Sequence, residues 1–504
     1  PAPAAVAGAT GVAGAPALAA SGAAVASERF TVETDVLKVT LDTRGGDMTR
    51  SELLAFRDTT GFSQAWYEPL LAVFSKPVDK ATLPNVVLFD DTASRTYLAQ
   101  TGLIPAAGGA LLPSHFTQLT AVPGERTLKD GANELVVRFE SPEVGGVKMV
   151  KTYTFKRGEY IVGVKHELTN VGAVPVQPQL YLQLLRDGKA PPGESSFYFT
   201  FTGPAVYTDA KKFQKVEFSD IEKRGPQEKP GHEQSATQGW VAMVQHYFAS
   251  AWLTPDGPAR EFRTAKVRDN LYSVAMVQPL GDIAPGAVKV HESRLYVGPQ
   301  EENKLAVLAP GLELVKDYGW LTILSKPLFW VLDQLHKILG NWGWSIIMLV
   351  VLLKIMFYWL NASAYKSMAK MKAVNPRIME MRERLKDKPQ EMQQEMMRIY
   401  REEKINPLGG CLPIFVQMPF FIALYWVLLS SVEMRGAPWL GWITDLSVAD
   451  PLFILPILMT ASSLLQVWLN PTPPDPMQAK LMWIMPLMFS FMFFAFPAGL
   501  VLYW

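Results

Sequence analysis

The chain has 504 residues, 49% of them hydrophobic, and its 48 basic and 47 acidic residues leave a formal net charge of +1. This length is too great for one ordinary core and predicts two or more domains. A single cysteine, Cys411, excludes an intramolecular disulfide framework. The neutral average conceals a division of polarity, because the first three-fifths is mixed and the last third carries long apolar runs.

The first 27 residues predict a flexible linker. Residues 1–27 are rich in Ala, Gly and Pro, and they lack the basic segment and continuous apolar core of a cleavable signal peptide. The chain begins without Met and stops at Trp504 within an apolar run. We therefore expect an upstream signal or anchor and a downstream helix in the intact protein.

Residues 28–315 have the pattern of a β-rich domain. Short segments alternate apolar and polar residues, and Gly, Pro, Asn and Asp separate them, which predicts many short strands with frequent turns. This pattern is typical of an antiparallel β-sandwich rather than a parallel α/β sheet. The clearest alternation occurs in residues 30–34, 37–41, 134–139 and 151–155.

Residues 316–340 predict an amphipathic helix. Leucines recur at steps of three or four from Leu321 to Leu339, and two tryptophans lie beside them. Pro327 is expected to bend or divide the helix. Two placements fit the pattern: the leucine face packs on a soluble core, or the helix lies in the membrane interface. The tryptophans and the apolar run that follows favour the interface.

Four apolar stretches near membrane length follow. About 20 apolar residues cross the ~30 Å hydrocarbon core as a helix. The last uncharged run, residues 481–496, reaches only about 24 Å, which predicts local bilayer thinning or shelter by protein. The predicted spans are residues 341–364, 409–432, 451–470 and 479–496, and residues 497–504 are a turn and the start of a last span.

The connecting segments predict the orientation. Residues 365–408 hold 11 basic residues, which places this loop in the cytoplasm by the positive-inside rule. Residues 433–450 carry three acids and one Arg, so this loop is expected outside, and residues 471–478 form a second cytoplasmic loop. Counting back from these loops places the β-rich domain outside the cytoplasm.

Lys354 lies midway along the first predicted span. A charged side chain at that depth costs at least ~2.5–3.5 kcal/mol, and the lysine stem is too short to reach either membrane surface. None of the visible spans carries an acid that would pair with it. A water-filled intramembrane groove satisfies the ammonium. The alternative is a neutral lysine, or one that pairs with a helix beyond the end of this sequence.

Mild polar groups and methionines complete the predicted groove. Any one polar group alone is explained by an interhelical hydrogen bond, and most methionines and aromatics by lipid or packing contacts. Together with Lys354 they are predicted to line one side of a groove for polar guests in transit. The residues predicted to form this substrate groove are Lys354, Gln417, Met418, Ser431, Thr460, Gln466, Met488 and Tyr503.

Residues 365–408 are more than a charged loop. Apolar residues recur at helical spacing on both sides of Lys388-Pro389, which predicts an amphipathic helical hairpin with facing apolar seams. A solvated topogenic loop explains the charge, whereas a docking platform for a ribosome, targeting factor or substrate also explains the seams. Both interpretations remain open. The basic residues assigned to docking are Lys370, Lys372, Arg377, Arg382, Arg384 and Arg398.

Catalysis has no support in the sequence. The chain contains no nucleophile elbow, P-loop or zinc-binding HExxH motif, and its six histidines are scattered. We therefore predict no enzymatic activity, no metal and no cofactor. A secondary transporter would require inverted repeats and midplane acids, which the sequence lacks. A membrane-anchored carbohydrate-binding or epimerising enzyme would place the function in residues 28–315.

Several short motifs occur through residues 341–504: NWGWSII at 341–347, YKSMAKM at 365–371, NPLGGC at 406–411, QMP at 417–419, DPMQ at 475–478 and FPAGLVLY at 496–503. Their combination is specific, and it resembles that of the YidC membrane-protein insertases. The β-rich region resembles, more loosely, the large periplasmic domain of the Gram-negative branch.

This resemblance implies a five-helix core whose groove opens to the cytoplasm and to lipid and is closed to the outside. The groove cation, usually Arg in the family and Lys354 here, would attract the polar, often acidic, tail of a substrate, whose hydrophobic segment then enters the bilayer. Lysine keeps the charge but loses bidentate hydrogen bonding. The resemblance also implies nascent membrane proteins, the Sec translocon, and ribosome or targeting factors as partners of a multi-pass inner-membrane protein.

Overall fold

The computed structural model describes residues 27–58, 83–105, 109–191, 200–225, 228–386, 388–403, 412–469 and 476–504. The chain divides into two compact units, a β unit that ends at Lys316 and a helical unit that begins at Asp317. Residues 1–26 of the predicted linker lie outside the described residues. So do residues 404–411 and 470–475, which include the start of the second predicted span and the last residue of the third.

The β unit is built almost entirely of strands. Two short helices accompany them, α1 (Phe218–Lys223) and α2 (Glu302–Leu308). The strands in chain order are β1 (Arg29–Glu33), β2 (Leu37–Asp42), β3 (Asp47–Arg57), β4 (Asn85–Val87), β5 (Asp90–Asp91), β6 (Thr96–Pro105), β7 (Thr120–Ala121), β8 (Glu134–Glu140), β9 (Val147–Lys156), β10 (Ile161–Asn170), β11 (Pro178–Asp187), β12 (Gly203–Thr208), β13 (Lys212–Lys215), β14 (Ser235–Ala236), β15 (Trp240–Gln245), β16 (Phe248–Leu253), β17 (Arg260–Arg268), β18 (Leu271–Pro279) and β19 (Val288–Pro299).

Two sheets face each other across a closed core. One has the order β1-β2-β3-β6-β11-β18-β17-β14, and the other has the order β13-β12-β15-β16-β19-β10-β9-β8-β7. Neighbouring strands in both sheets run antiparallel, so the predicted antiparallel sandwich is confirmed. Direct bonds join the sheets, because Trp252 donates to the Gln183 carbonyl at 3.0 Å and the Tyr97 hydroxyl lies 2.6 Å from that of Ser250.

A buried polar layer interrupts this apolar core. The Lys151 ammonium, on β9, donates to the Gly45 carbonyl at 3.0 Å and lies 3.9 Å from the Asp47 carboxylate. Gln100 donates to the other oxygen of Asp47 at 2.9 Å. Both charged side chains are almost completely buried, so each loses most of its hydration and depends on these few partners.

Burial shifts the pKa of both members of this pair. Desolvation raises the pKa of Asp47 to about 7, against the attraction of Lys151, and desolvation lowers the pKa of Lys151 to about 8. A raised carboxyl pKa means that the folded state binds the proton more tightly than the unfolded chain does. Asp47 therefore contributes stability that is complete below its ordinary pKa of 3.8 and is lost as the pH rises through about 7.

Asp47→Asn is expected to remove this pH dependence. Asparagine keeps the shape of the side chain and cannot ionise, so the variant gains free energy of unfolding relative to wild type as the pH rises. The gain is on the order of a few kcal/mol at most. Urea unfolding of the whole protein in nanodiscs at pH 5 and pH 8, followed by tryptophan fluorescence, measures it. A difference that is equal at both pH values would contradict the burial argument, and Asp130→Asn at an exposed position is the control.

The helical unit follows the β unit without a strand among its described residues. A 3₁₀ turn at Gly319–Leu321 leads into its first helix. The helices are α3 (Thr322–Leu339), α4 (Trp342–Met356), α5 (Tyr358–Arg384), α6 (Pro389–Glu402), α7 (Leu412–Ser430), α8 (Ile454–Leu469), α9 (Pro476–Phe493) and α10 (Ala498–Tyr503).

Helix α3 forms most of the predicted amphipathic segment, and its position in the membrane interface stays a prediction. Its leucine face packs on protein, because Leu328 and Leu332 are buried in a core shared with α4 and α7. The outward face instead carries Ile323 and Trp330. Pro327 does not divide the helix. It lies on the exposed side with the Ile323 carbonyl that it leaves unbonded, so solvent or lipid headgroups can satisfy that oxygen.

The first predicted span is not one straight helix. Helix α4 ends at Met356, the backbone leaves the α region at Phe357, and α5 continues at an angle of 62°. The predicted boundary at residue 364 falls inside α5, which runs unbroken into the hairpin. No proline or glycine lies at the bend. The Phe357 ring packs edge-on against Phe420 of α7, with ring centroids 5.1 Å apart.

Among the described residues, no unbroken helix is both long enough and apolar enough to be identified as a membrane span. Helices α4 and α5 meet both criteria only as a bent pair. Shorter apolar helical stretches are Phe415–Ser430, Ile454–Leu469 and Ala479–Phe493.

Candidate functional site

Lys354 lies in the last turn of α4. It follows Trp342, the first residue of the helix, by 12 residues, or roughly 18 Å along the axis. Its side chain is exposed, and no carboxylate or hydrogen-bond acceptor contacts its ammonium in the part of the chain that the structure describes. The ammonium is therefore accessible from outside the protein.

An amide pair lies on the hairpin side of Lys354. Gln417 of α7 donates a hydrogen bond to the side-chain oxygen of Asn361 on α5 at 2.9 Å, and both side chains are half-buried. Phe357 and Phe420 make their ring contact one helical turn away. The two contacts together set the course of α5 along α7 just after the bend.

Tyr503 and Met418 lie near the same level of α7. The Tyr503 ring, near the end of α10, stacks on Phe421 with centroids 5.4 Å apart. Met418 is exposed one residue after Gln417. Because α10 packs on both α4 and α7, it connects the helix of Lys354 with the helix of Gln417. Four of the predicted groove residues thus lie on three helices of one packed group.

A second polar pair joins α8 to α9. The Thr460 hydroxyl donates to the Pro456 carbonyl at 2.7 Å and accepts a hydrogen bond from Ser490. Gln466 and Met488 are exposed on α8 and α9, and their place in the groove remains a prediction. The bonds of Thr460 fit the simpler explanation for one polar side chain within an apolar helix, an interhelical hydrogen bond.

Ser431 does not line an open groove, and this prediction is corrected. Its side chain is fully buried and donates to the Val427 carbonyl at 2.5 Å. Helix α7 ends at Ser430, and the chain turns inward there, into a 3₁₀ turn at Val432–Met434 whose terminal residues are buried.

The hairpin of α5 and α6 closes on an apolar seam. Ile378, Met381 and Ile399 are buried between the helices, and α6 begins at Pro389, the residue expected to separate them. The seam residues at half burial are Val374, Leu385, Met392, Met396 and Tyr400. The basic charge of the hairpin therefore rests on a folded element rather than on a loose loop.

The basic docking residues have different environments. Arg377 pairs with Glu402 at 3.0 Å and with Glu403 at 3.2 Å, which joins the two helices. Arg398 pairs within α6, with Glu402 at 2.9 Å. The side chains of Lys370, Lys372 and Arg384 are exposed, and that of Arg382 is half-buried.

The opposite end of the helical unit is tightly closed. The Ala498 and Gly499 amides, at the start of α10, donate to the carbonyls of Val448 and Leu446 at 2.7 and 2.9 Å. The predicted outer loop, residues 433–450, thereby covers the helix ends. Gly343 of α4 lies against the Trp439 ring, where a Cβ atom would clash.

Comparison with known proteins decides the family. Two family models match, the YidC periplasmic domain over residues 68–331 and the 60Kd inner membrane protein over residues 334–504. The insertase YidC of Cupriavidus necator is 56% identical over 99% of this chain and 83% of its own length. That of Ralstonia nicotianae is 52% identical over 98% of this chain and 84% of its own length. The chain belongs to the YidC membrane-protein insertase family.

This YidC-family chain is accordingly a membrane-protein insertase and not an enzyme, with an inner-membrane location and a periplasmic β domain. A crystal structure described as an active YidC insertase, with the first transmembrane domain resolved, aligns with it at a TM-score of 0.39. That alignment has 17% identity over 95% of this chain and 90% of the other. Among the described residues, no cluster of His, Cys, Asp or Glu is arranged to bind a metal ion.

Sequence reasoning missed Asn361 in this YidC-family insertase. The sequence contains two indications of its importance. An amide within an apolar span is costly, and Asn361 follows Lys354 by seven residues, or two helical turns. On a continuous helix this spacing places both side chains on one face. Only the structure shows that Asn361 pairs with Gln417 beyond a bend.

Proposed function

We propose that this YidC-family insertase receives the polar flank of a nascent membrane protein at Lys354 and releases its hydrophobic segment sideways into lipid. The observation that carries the proposal is an exposed ammonium about 18 Å from the start of its apolar helix, without a counter-ion among the described residues. A fixed cation there attracts an acidic tail and exchanges its own hydration for a substrate carboxylate.

Exposed apolar side chains elsewhere in the helical unit support the lateral exit. Helices α8 and α9 expose large side chains, and their methionines adapt to differing partners because thioether chains repack at little cost. A hydrophobic segment that leaves the groove would exchange these contacts for lipid tails without a large barrier. The exposed residues on the two helices include Ile457, Leu465, Trp468, Ile484, Met488 and Phe491.

We propose a multi-pass topology for the helical unit. Helices α4, α7, α8, α9 and α10 contain no acidic residue, and the basic hairpin between α4 and α7 is placed in the cytoplasm by the positive-inside rule. The bent pair α4–α5 then crosses the membrane with its break near the inner leaflet. The closed end around Trp439 faces the periplasm and excludes water from that side.

Gly343→Ala is expected to open the periplasmic end. A methyl group would clash with the Trp439 ring, and overpacking of this kind costs about 1–3 kcal/mol. A cysteine introduced at Leu446 should then react several-fold faster with an impermeant maleimide added outside. Gly499→Ala, where a Cβ would lie 3.1 Å from the Leu446 carbonyl, should show a smaller effect. Equal labelling of Gly343→Ala and the parent would argue against a closure made by this contact.

We further propose the Sec translocon and the ribosome or a targeting factor as partners. The hairpin offers exposed basic side chains on a folded support, a combination that suits an RNA-rich or acidic surface. Small substrates need only Lys354 and the exposed apolar face. Larger ones would be handed over from the translocon through the same lipid-facing side.

Site-specific photocrosslinking to a stalled nascent chain tests the proposed route. A photoreactive residue at Met418 or Met488 should crosslink to the hydrophobic segment, whereas the same group at Trp330 should not. Crosslinks from Trp330 alone would place the substrate path outside the groove. Repetition with and without the translocon separates the direct path from the assisted one.

A further inference from the structure

The break between α4 and α5 places Lys354 at the negative end of a helix. Helix α4 ends at Met356, two residues after Lys354, and the Phe357 backbone lies outside the α region, at φ −92° and ψ 9°. The last carbonyls of a helix have no intrahelical partner, and they carry the negative end of its dipole. The ammonium of Lys354 is therefore stabilised by the backbone of its own helix.

The neighbouring helices add little negative charge to this support. Helix α4 and the helix α10 that packs on it contain no acidic residue. Helix α3, which also packs on α4, carries Asp333, and that carboxylate pairs with Lys337 of its own helix at 2.7 Å. A charge among apolar helices is costly unless it is compensated. The terminus of α4 provides a fixed negative potential beside the ammonium.

The local sequence does not require the helix to end there. Residues 354–362 include no Pro or Gly, and α5 begins at Tyr358 and continues unbroken to Arg384. An uninterrupted helix would have its negative end at Arg384, roughly 45 Å beyond Lys354. At that distance the helix terminus would give the ammonium no support.

Two contacts with α7, which we call the break contacts, hold α5 on its separate course. The Phe357 ring packs edge-on against Phe420, with centroids 5.1 Å apart, and Gln417 donates to Asn361 at 2.9 Å. The first contact lies at the break and the second one turn later, and their partners share one turn of α7. Between them they fix α5 at an angle of 62° to α4.

We propose that the residues of the break contacts are positioning residues for Lys354. They keep its helix ended at Met356, so that the helix terminus stabilises the charge that receives an acidic substrate tail. The inference rests on the proposed function, since it assumes that this tail binds at Lys354. The break contacts act through that charge, so their loss should affect a substrate only where its tail is acidic.

A leucine variant tests whether the contacts hold the break. Asn361→Leu, Gln417→Leu and Phe420→Leu together remove both contacts and keep apolar side chains in their place. In a Cys411→Ser background, spin labels at positions 348 and 384 report the angle by double electron–electron resonance. Their backbone positions are roughly 48 Å apart across a 62° bend and would be roughly 54 Å apart along a straight helix.

We expect the leucine variant to show the longer distance. The matched control is Ser363→Leu, an apolar substitution at an exposed position of α5, which should keep the shorter distance. An unchanged distance in the leucine variant would overturn the inference, because the break would then not depend on these contacts.

Insertion into proteoliposomes provides the readout that a merely structural role would not change. The leucine variant should insert an acidic-tailed substrate at least threefold more slowly and a substrate with an uncharged tail at the wild-type rate. Lys354→Arg in the same background should restore at least half of the lost rate, because a guanidinium keeps its charge without the helix terminus. Lys354→Gln in that background should restore none of it.

The outcomes separate this inference from the proposed function. An equal loss for both substrates, or a loss that arginine does not restore, would indicate a packing defect and overturn the inference. If the leucine variant straightens and still inserts the acidic-tailed substrate at the wild-type rate, the inference is also wrong. The proposed function stands in each of these cases as long as Lys354→Glu, in the otherwise unaltered chain, lowers insertion of that substrate.

Discussion

Lys354→Glu is expected to lower insertion of a small acidic-tailed substrate at least tenfold, whereas Lys354→Arg retains most of the activity. Charges about 6 Å apart interact by roughly 1–3 kcal/mol at an effective dielectric of 20–40, and reversal turns that attraction into repulsion. Arginine keeps the charge at the same helix position. Protease protection of substrate synthesised beside proteoliposomes measures the inserted fraction.

Charge exchange makes this test specific. A substrate whose tail acids are replaced by lysines should insert poorly with the wild type and better with Lys354→Glu. Lys480→Glu, a matched reversal at an exposed position near the start of α9, should have little effect. Wild-type insertion by Lys354→Glu, or an equal loss in Lys480→Glu, would contradict the electrostatic account. Loss without rescue by the basic tail would indicate a packing defect instead.

The elements with strong periodicity were predictable from the sequence. Period-two alternation in residues 134–139 and 151–155 corresponds to β8 and β9, whose side chains alternate between core and surface. The facing seams of the hairpin follow in the same way, since Ile378 and Ile399 repeat at helical spacing and are buried together. Each pattern lies within a short stretch of the chain, so the sequence alone is enough to recognise it.

The choice of partner for an apolar face was not predictable. The leucines of α3 pack on α4 and α7, but leucine packs equally well on lipid tails, so the pattern alone does not distinguish protein from membrane. Ser431 illustrates the same difficulty for a hydroxyl, which was expected in a groove and is buried against its own helix. Asn361 was overlooked because its partner, Gln417, lies 56 residues away.

The bend at Phe357 was hidden for a related reason. Kinks are read from proline and glycine, and neither occurs there, whereas Pro376 inside α5 and Pro327 inside α3 leave their helices unbroken. The bend depends instead on packing, with Phe357 against Phe420 and Asn361 bonded to Gln417. Tertiary contacts of this kind decide where the helix that carries Lys354 ends, and they decide how the hairpin is connected to it.

The second large effect is expected from the hairpin. Replacement of residues 378–401 by a four-residue Gly/Ser linker should lower insertion of ribosome-bound substrates several-fold while the remaining helices stay folded. The ion pairs from Arg377 to Glu402 and Glu403 show that the cut ends are neighbours, and such a linker spans roughly 10–12 Å. Insertion assays and the protease resistance of the helical unit measure the two outcomes separately.

Two further variants distinguish docking from topogenesis. Ile399→Asp places a charge in the buried seam and should unfold the hairpin without removing a basic residue, so a docking platform predicts the same loss as the deletion. A plain topogenic loop predicts normal insertion, because its positive charge is unchanged. Conversely, a variant with Gln in place of Arg382, Arg384 and Arg398 keeps the seam and loses three positive charges. If that variant loses ribosome binding while its topology is unchanged, the folded basic surface is the docking element; full binding would assign the charges to topology alone.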